Sequence, residues 1–163
     1  MRLPGGGLDG RLSAARRHLR PVAVVLVEVV EGLADGSPRT AAPRTVADSI
    51  SATIRDADTA CRMTDGRFGL VLEDTPENGA IWTVERIRRH IAGVSSGLTR
   101  WAGVACYPAH AFDAGEILTQ AETALEAADE AVKVDARECT PDGFVGVLGE
   151  PIEVVAQRAV EQR

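Results

Sequence analysis

Apolar residues recur at helical spacing along much of the chain. Val46, Ile50 and Ile54 follow one another at intervals of four residues, which predicts a helix with one apolar face. The same periodicity occurs in two other stretches. Together with an arginine-rich stretch that ends before Pro21, these predict helices at residues 8–19, 45–56, 76–92 and 114–132. Because the helices with this periodicity have a single apolar face, we expect them to pack on a sheet.

Runs of apolar and β-branched residues predict the strands, at residues 22–30, 60–64, 67–72, 98–107 and 144–148. The run at 22–30 is apolar at almost every position, which is typical of a strand buried on both faces. Asp65-Gly66 predicts a two-residue hairpin turn with positive φ at both positions, and this turn would place Thr64 opposite Arg67. The element order predicts an α+β fold, a two-layer ferredoxin-like sandwich with a mainly antiparallel sheet.

Polar and turn-forming residues predict the helix starts and the remaining segments. Thr75 is the expected N-cap of the third helix, and Asp113 with Glu116 has the spacing of a capping box. We expect a flexible tail at residues 1–7, a loop at 31–44 and one domain at 8–150. Pro151 then precedes a helical extension at 151–163.

Composition restricts the class of function. With 45% hydrophobic and 26% charged residues the chain is globular, and a net charge of −6 argues against binding to nucleic acid or to anionic membrane. The 4% aromatic content also argues against an RNA-binding sheet. Three cysteines without paired spacing and no signal-like segment predict a cytoplasmic protein with reduced thiols and no membrane insertion.

The predicted hairpin carries a family resemblance. Arg55-x-x-Asp58 is followed, after five residues, by Thr64-Asp65-Gly66-Arg67-Phe68. This pattern resembles the signature hairpin of the GGDEF family, the diguanylate cyclases that join two GTP molecules into cyclic di-GMP. Phe68 alone matches the five signature letters, so the signature is degenerate. The segments 101–108 and 121–125 are also similar to family segments, and the resemblance covers roughly residues 8–132.

The resemblance implies that the catalytic groups are lost. The family's first metal ligand maps to Glu28, and its second maps to Gly66. Arg67 occupies the next signature position, where the family has an acid. The nucleotide-binding positions of the family fall at Gly36, Thr45 and Asp129. We therefore expect neither cyclase activity nor a magnesium cofactor. Glu28 is either a vestigial ligand or a strand-end carboxylate bonded to local backbone.

The resemblance also implies a retained binding site for cyclic di-GMP. In the family, Arg-x-x-Asp forms an inhibitory site for this ligand, and the matching residues here are Arg55 and Asp58. A guanidinium can donate to guanine O6 and N7, and a carboxylate can accept from the neighbouring edge. The i, i+3 spacing at a helix end is expected to place the two side chains together. A surface pair of this kind contributes only tenths of a kcal/mol, so its loss should not unfold the domain.

Three hypotheses follow from the sequence. The first is a regulatory domain that senses cyclic di-GMP, or GTP, and signals to a protein partner. The second is an interaction module that binds no nucleotide, and the third is a residual cyclase. Calorimetry and a turnover assay discriminate among them. The partner's identity and the presence of a homodimer are left open by the sequence.

Overall fold

The computed structural model describes residues 7–32, 36–95 and 97–138, except for the side chains at 99 and 131–138. Its elements in chain order are α1 Leu8–His18, β1 Val22–Glu31, β2 Arg39–Thr40, α2 Pro43–Ser51, β3 Thr59–Arg62, β4 Phe68–Glu73, α3 Glu77–Val94, β5 Leu98–Tyr107 and α4 Ala114–Glu138. The predicted strand at 144–148, the extension at 151–163 and all of the predicted tail except Gly7 lie outside the described residues.

Strand β1 is the centre of the sheet. It pairs with β4 on one side, with β5 on the other and with β2 at its end, while β3 pairs with β4. Every one of these pairings is antiparallel. Val24, for example, lies opposite Val71 of β4 and Ala105 of β5. The predicted α+β fold with a mainly antiparallel sheet is therefore confirmed.

The alternating side chains of β1 enter two separate cores. Val22, Val24 and Leu26 pack in the core that α1 and α4 cover. Ala23, Val25 and Val27 pack in the core beneath α2 and α3. The expected two layers correspond to the sheet with α2 and α3, and the other two helices add a third layer. In the part of the chain that the structure describes, no helix has the length and apolar character needed to cross a membrane.

Helix α2 begins earlier and ends earlier than the periodicity predicts. It spans Pro43–Ser51 rather than 45–56, and turns occupy residues 52–58. Pro43 takes the first helical turn, where its missing N–H costs nothing. At the other end, the Asp58 carboxylate accepts a hydrogen bond from the backbone nitrogen of Arg55 at 3.0 Å. Such a side-chain acceptor competes with the helical backbone pattern and stabilises a turn instead.

The hairpin register differs by one residue from the prediction. Met63, not Thr64, faces Arg67, and its nitrogen donates to the Arg67 carbonyl at 2.8 Å. Positive φ occurs at Gly66 (92°) but not at Asp65. The Asp65 carboxylate instead accepts from the Arg67 nitrogen at 3.0 Å. These contacts indicate a three-residue loop with a glycine bulge, which replaces the two-residue turn.

Two other local predictions need correction. Pro76, not Thr75, is the N-cap of α3, because the Thr75 hydroxyl donates to the Glu73 carbonyl at 2.8 Å. The loop predicted at 31–44 contains the short strand β2. The cap at Asp113 is confirmed, since its carboxylate accepts from the Glu116 nitrogen at 3.0 Å.

Candidate functional site

The hairpin tip brings Arg67 against Glu28. Phe68 pairs with Val27 in the ladder between β4 and β1, so the next residues outward, Arg67 and Glu28, face each other. The Arg67 Nε lies 3.5 Å from Glu28 Oε2 and 3.7 Å from Asp65 Oδ2. One guanidinium thus interacts with both carboxylates near the tip. Glu28 is paired with a side chain across the sheet rather than bonded only to local backbone.

The signature positions otherwise offer few ligand atoms. Gly66 has no side chain, Thr64 and Asp65 are in the loop, and Phe68 is buried in the core beneath α2 and α3. Within residues 7–32, 36–95 and 97–138, no group of three or more His, Cys, Asp or Glu side chains is arranged to hold a metal ion. The carboxylates of Glu28 and Asp65 are already paired with Arg67.

Asp58 is buried and fully engaged with its surroundings. Its side chain is 2% exposed. Oδ2 accepts from the backbone nitrogen of Arg55 at 3.0 Å and from Arg55 Nε at 3.4 Å, while Oδ1 accepts from the Glu73 nitrogen at 3.2 Å. The predicted proximity of the two residues is observed, but they lie in a turn rather than on a helix. The carboxylate joins this turn to the end of β4.

Arg55 combines fixed contacts with an accessible surface. Its side chain is 58% exposed. Besides the contact with Asp58, Nη2 donates to the Thr75 hydroxyl at 2.6 Å and to the Glu73 carbonyl at 3.3 Å. These contacts orient the guanidinium on the surface of the turn formed by residues 52–58, which we call the 52–58 turn.

A second arginine lies beside the same turn. Arg86 of α3 donates through Nη2 to the carbonyl of Thr53, two residues before Arg55. Two guanidiniums therefore flank the 52–58 turn, with the exposed Asp56 nearby. Sequence reasoning missed Arg86. Its only sequence signal is a position on the exposed side of α3, and only the packing of α2 against α3 places it here.

Comparison with known proteins decides the family. The family model described as "Diguanylate cyclase, GGDEF domain" matches residues 43–134, more than half of the chain. The chain belongs to the GGDEF family. No curated protein gives a significant match to this GGDEF domain.

Solved structures share the fold of this GGDEF domain. The active GGEEF domain of a diguanylate cyclase from Vibrio cholerae is 19% identical, with a TM-score of 0.63 over 76% of this chain and 85% of that chain. The GGDEF domain of DgcB from Caulobacter crescentus, in complex with c-di-GMP, is 18% identical, with a TM-score of 0.62 over 77% and 79%. The diguanylate cyclase SiaD from Pseudomonas aeruginosa, in complex with its activator SiaC, is 18% identical, with a TM-score of 0.62 over 75% and 51%.

Proposed function

We propose that this chain is a regulatory GGDEF domain without cyclase activity. The observation that carries the proposal is the contact of Arg67 with Glu28 at the hairpin tip. A divalent metal needs several carboxylate oxygens that converge on it, and a neighbouring guanidinium repels it. With Gly66 adding no ligand, the donor set does not fit magnesium. We therefore assign no metal cofactor to the domain.

A turnover assay tests the loss of catalysis. With GTP and Mg²⁺ or Mn²⁺, we expect no cyclic di-GMP above a control without protein, because the tip cannot assemble a metal pair. The active GGEEF domain from Vibrio cholerae serves as the positive control for the assay. Product that appears with the wild-type domain and is lost on Glu28→Ala would contradict the proposal.

The ligand proposed for the regulatory role is cyclic di-GMP, bound at the exposed surface of the 52–58 turn. The contacts with Asp58, Glu73 and Thr75 use Nε and Nη2 of Arg55, which leaves Nη1 to donate to guanine O6 or N7. Arg86 adds a second guanidinium beside the turn, where it can neutralise a phosphate. The complex of DgcB with c-di-GMP supports this choice of ligand.

Asp58 stays a predicted part of this ligand site. Its carboxylate is buried and already accepts three hydrogen bonds from Arg55 and Glu73, which favours a role in positioning Arg55 over direct contact with guanine. Direct contact would require the 52–58 turn to open. The ligand-binding role is therefore proposed first for Arg55.

The signal is proposed to reach a protein partner. The diguanylate cyclase SiaD, of which the match covers 51%, forms a complex with its activator SiaC, and this supports the proposal of a protein partner. The alternative is an interaction module that binds no nucleotide, and the exposed Trp82 on α3, at 65% accessibility, favours a protein contact in either case. Binding of cyclic di-GMP or GTP separates the two, because only a sensor should bind either ligand.

A further inference from the structure

Helix α3 presents an aromatic and basic surface, which we call the α3 face: Trp82, Arg86 and Arg89. Trp82 is 65% exposed, and the Arg89 side chain is 66% exposed. The acid beside them, Glu85, is shared by Arg88 at 2.6 Å and Arg89 at 3.0 Å. One carboxylate cannot neutralise two guanidiniums, so the surface keeps an excess of positive charge.

Helix α4 presents the opposite charge. Between residues 114 and 130 the sequence has five acidic residues and no Lys or Arg. Glu116, Glu122 and Glu126 define what we call the α4 face; Glu116 and Glu126 are exposed, and Glu122 is partly exposed. Glu122 and Glu126 are four residues apart, a spacing at which like charges destabilise a helix. Helix stability therefore does not account for this pattern.

Beside the glutamates of the α4 face, the same helix exposes small side chains. Thr119, Thr123 and Ala127 are exposed at intervals of four residues on the same helix. Both threonine hydroxyls donate to carbonyls of their own helix, at 2.9 Å each, so neither hydroxyl requires an outside acceptor. Small side chains of this kind leave room for an indole, which buries a large apolar area on contact.

The fold places the two faces on opposite sides of the molecule. Helix α3 covers one face of the sheet and α4 covers the other. The α3 face of one copy can therefore meet the α4 face of a second copy, with a free α3 and a free α4 face left at the two ends. We propose that copies of this chain associate head to tail through the α3 and α4 faces. Such a contact is heterologous, because it joins two different surfaces. The assembly therefore grows longer as the protein concentration rises, unless the geometry closes a ring.

Charge complementarity is the reason to choose a second copy as the occupant. At a net charge of −6, most contacts between two copies are repulsive. The pairing of these two faces brings arginines against glutamates, and it buries a tryptophan, a residue enriched at interface hot spots. A contact limited to one pair of helices is small, so we expect weak association that decreases with salt.

Two variants and their mixture test the proposal by analytical ultracentrifugation without nucleotide. The double variant Trp82→Ala/Arg89→Ala removes two of the three side chains of the α3 face. The double variant Glu122→Arg/Glu126→Arg reverses the charge at two of the three positions of the α4 face. The wild type should show a mass that rises with concentration and falls with salt, while each variant alone should stay monomeric. An equimolar mixture retains one intact face on each variant and should form a 1:1 dimer and nothing larger. Circular dichroism confirms that both variants are folded.

Three outcomes would overturn the proposal. They are a wild type that stays monomeric at several hundred micromolar in low salt, variants that assemble like the wild type, and a mixture that stays monomeric. Arg55→Ala should assemble like the wild type, and Glu122→Arg/Glu126→Arg should bind cyclic di-GMP like the wild type. The failure of assembly is therefore distinguishable from the failure of ligand binding.

Discussion

At the scale of single residues, Asp58 joins two parts of the chain that are distant in sequence. The motif Arg55-x-x-Asp58 predicts that the two side chains meet, and they do. The spacing does not indicate that the carboxylate is buried or that it accepts from Glu73, because that contact depends on how β4 packs. The expectation of a marginal surface pair is therefore wrong for Asp58.

Substitution of Asp58 should destabilise the domain. Asp58→Ala leaves the backbone nitrogens of Arg55 and Glu73 without their acceptor, and a buried unsatisfied donor costs about 1–3 kcal/mol. Urea denaturation should show this loss in the free energy of unfolding. Asp56→Ala removes an exposed carboxylate two residues away and should change stability by less than about 0.5 kcal/mol. Equal stability of the two variants would contradict the structural role of Asp58.

The contact of Arg67 with Glu28 also depends on information that local sequence lacks. The resemblance maps both residues to lost catalytic positions, but their contact follows from the pairing of Phe68 with Val27 in the sheet. The register between β3 and β4, in which Met63 rather than Thr64 faces Arg67, is a separate feature of the tip.

At the scale of elements, periodicity predicts the long helices and strands well. The β1 run predicts burial on both faces, and its side chains do enter both cores. The prediction fails where the signal is short: the two-residue strand β2 has no measurable alternation, and α2 ends where a side chain competes with the helix. The packing of α4 on β5 is another feature that periodicity does not reveal.

Gly103 allows α4 to approach β5 closely. A Cβ at this position would overlap the Ala121 carbonyl and lie 2.5 Å from the Leu125 nitrogen. Gly103→Ala should therefore lower the free energy of unfolding by about 1–3 kcal/mol or more, because the backbone of α4 has to move. The control is Gly93→Ala on α3, where nothing lies within 4 Å and better helix propensity should keep or raise stability. Thermal denaturation that ranks Gly103→Ala level with Gly93→Ala would rule out this close contact.

The ion pairs of Glu85 on α3 should make the free energy of unfolding depend on pH. Hydrogen bonds from Arg88, with smaller contributions from Arg89, lower the pKa of the Glu85 carboxyl. A lowered folded-state pKa adds stability above the unfolded-state pKa of about 4.3, and this stability is lost as pH falls through the folded-state value. The Glu85 and Arg88 side chains are partly exposed, at 19% and 17%, and pairs that solvent still reaches are worth about 0.2–1 kcal/mol.

The measurement is the difference in unfolding free energy between the wild type and Glu85→Gln from pH 7 to pH 3. The difference should be largest near neutral pH and should disappear in acid. Glu126→Gln, an exposed glutamate on α4, controls for the general effect of one fewer carboxylate. A difference that stays constant over the range, or that grows in acid, would mean that the ion pair does not stabilise α3.

At the scale of the whole molecule, the sequence predicts both the fold and the family. The element order predicts an α+β sandwich, the motifs around the hairpin carry the resemblance to the GGDEF family, and the family match confirms that membership. The sequence also identified the hairpin tip and the Arg55 motif as the positions to examine. It could not place Arg86 beside the 52–58 turn, since 31 positions of chain separate it from Arg55 and only tertiary packing brings them together.

The central claim is that this domain binds cyclic di-GMP at Arg55 although it does not make it. Isothermal titration calorimetry with cyclic di-GMP tests the claim most directly. The wild type should bind, and Arg55→Ala should weaken binding by roughly 1–3 kcal/mol, or about tenfold to more than a hundredfold. Arg44→Ala, which removes an arginine that is 94% exposed on α2, should bind like the wild type. Absence of binding by the wild type at high micromolar ligand, or equal binding by Arg55→Ala, would contradict the account.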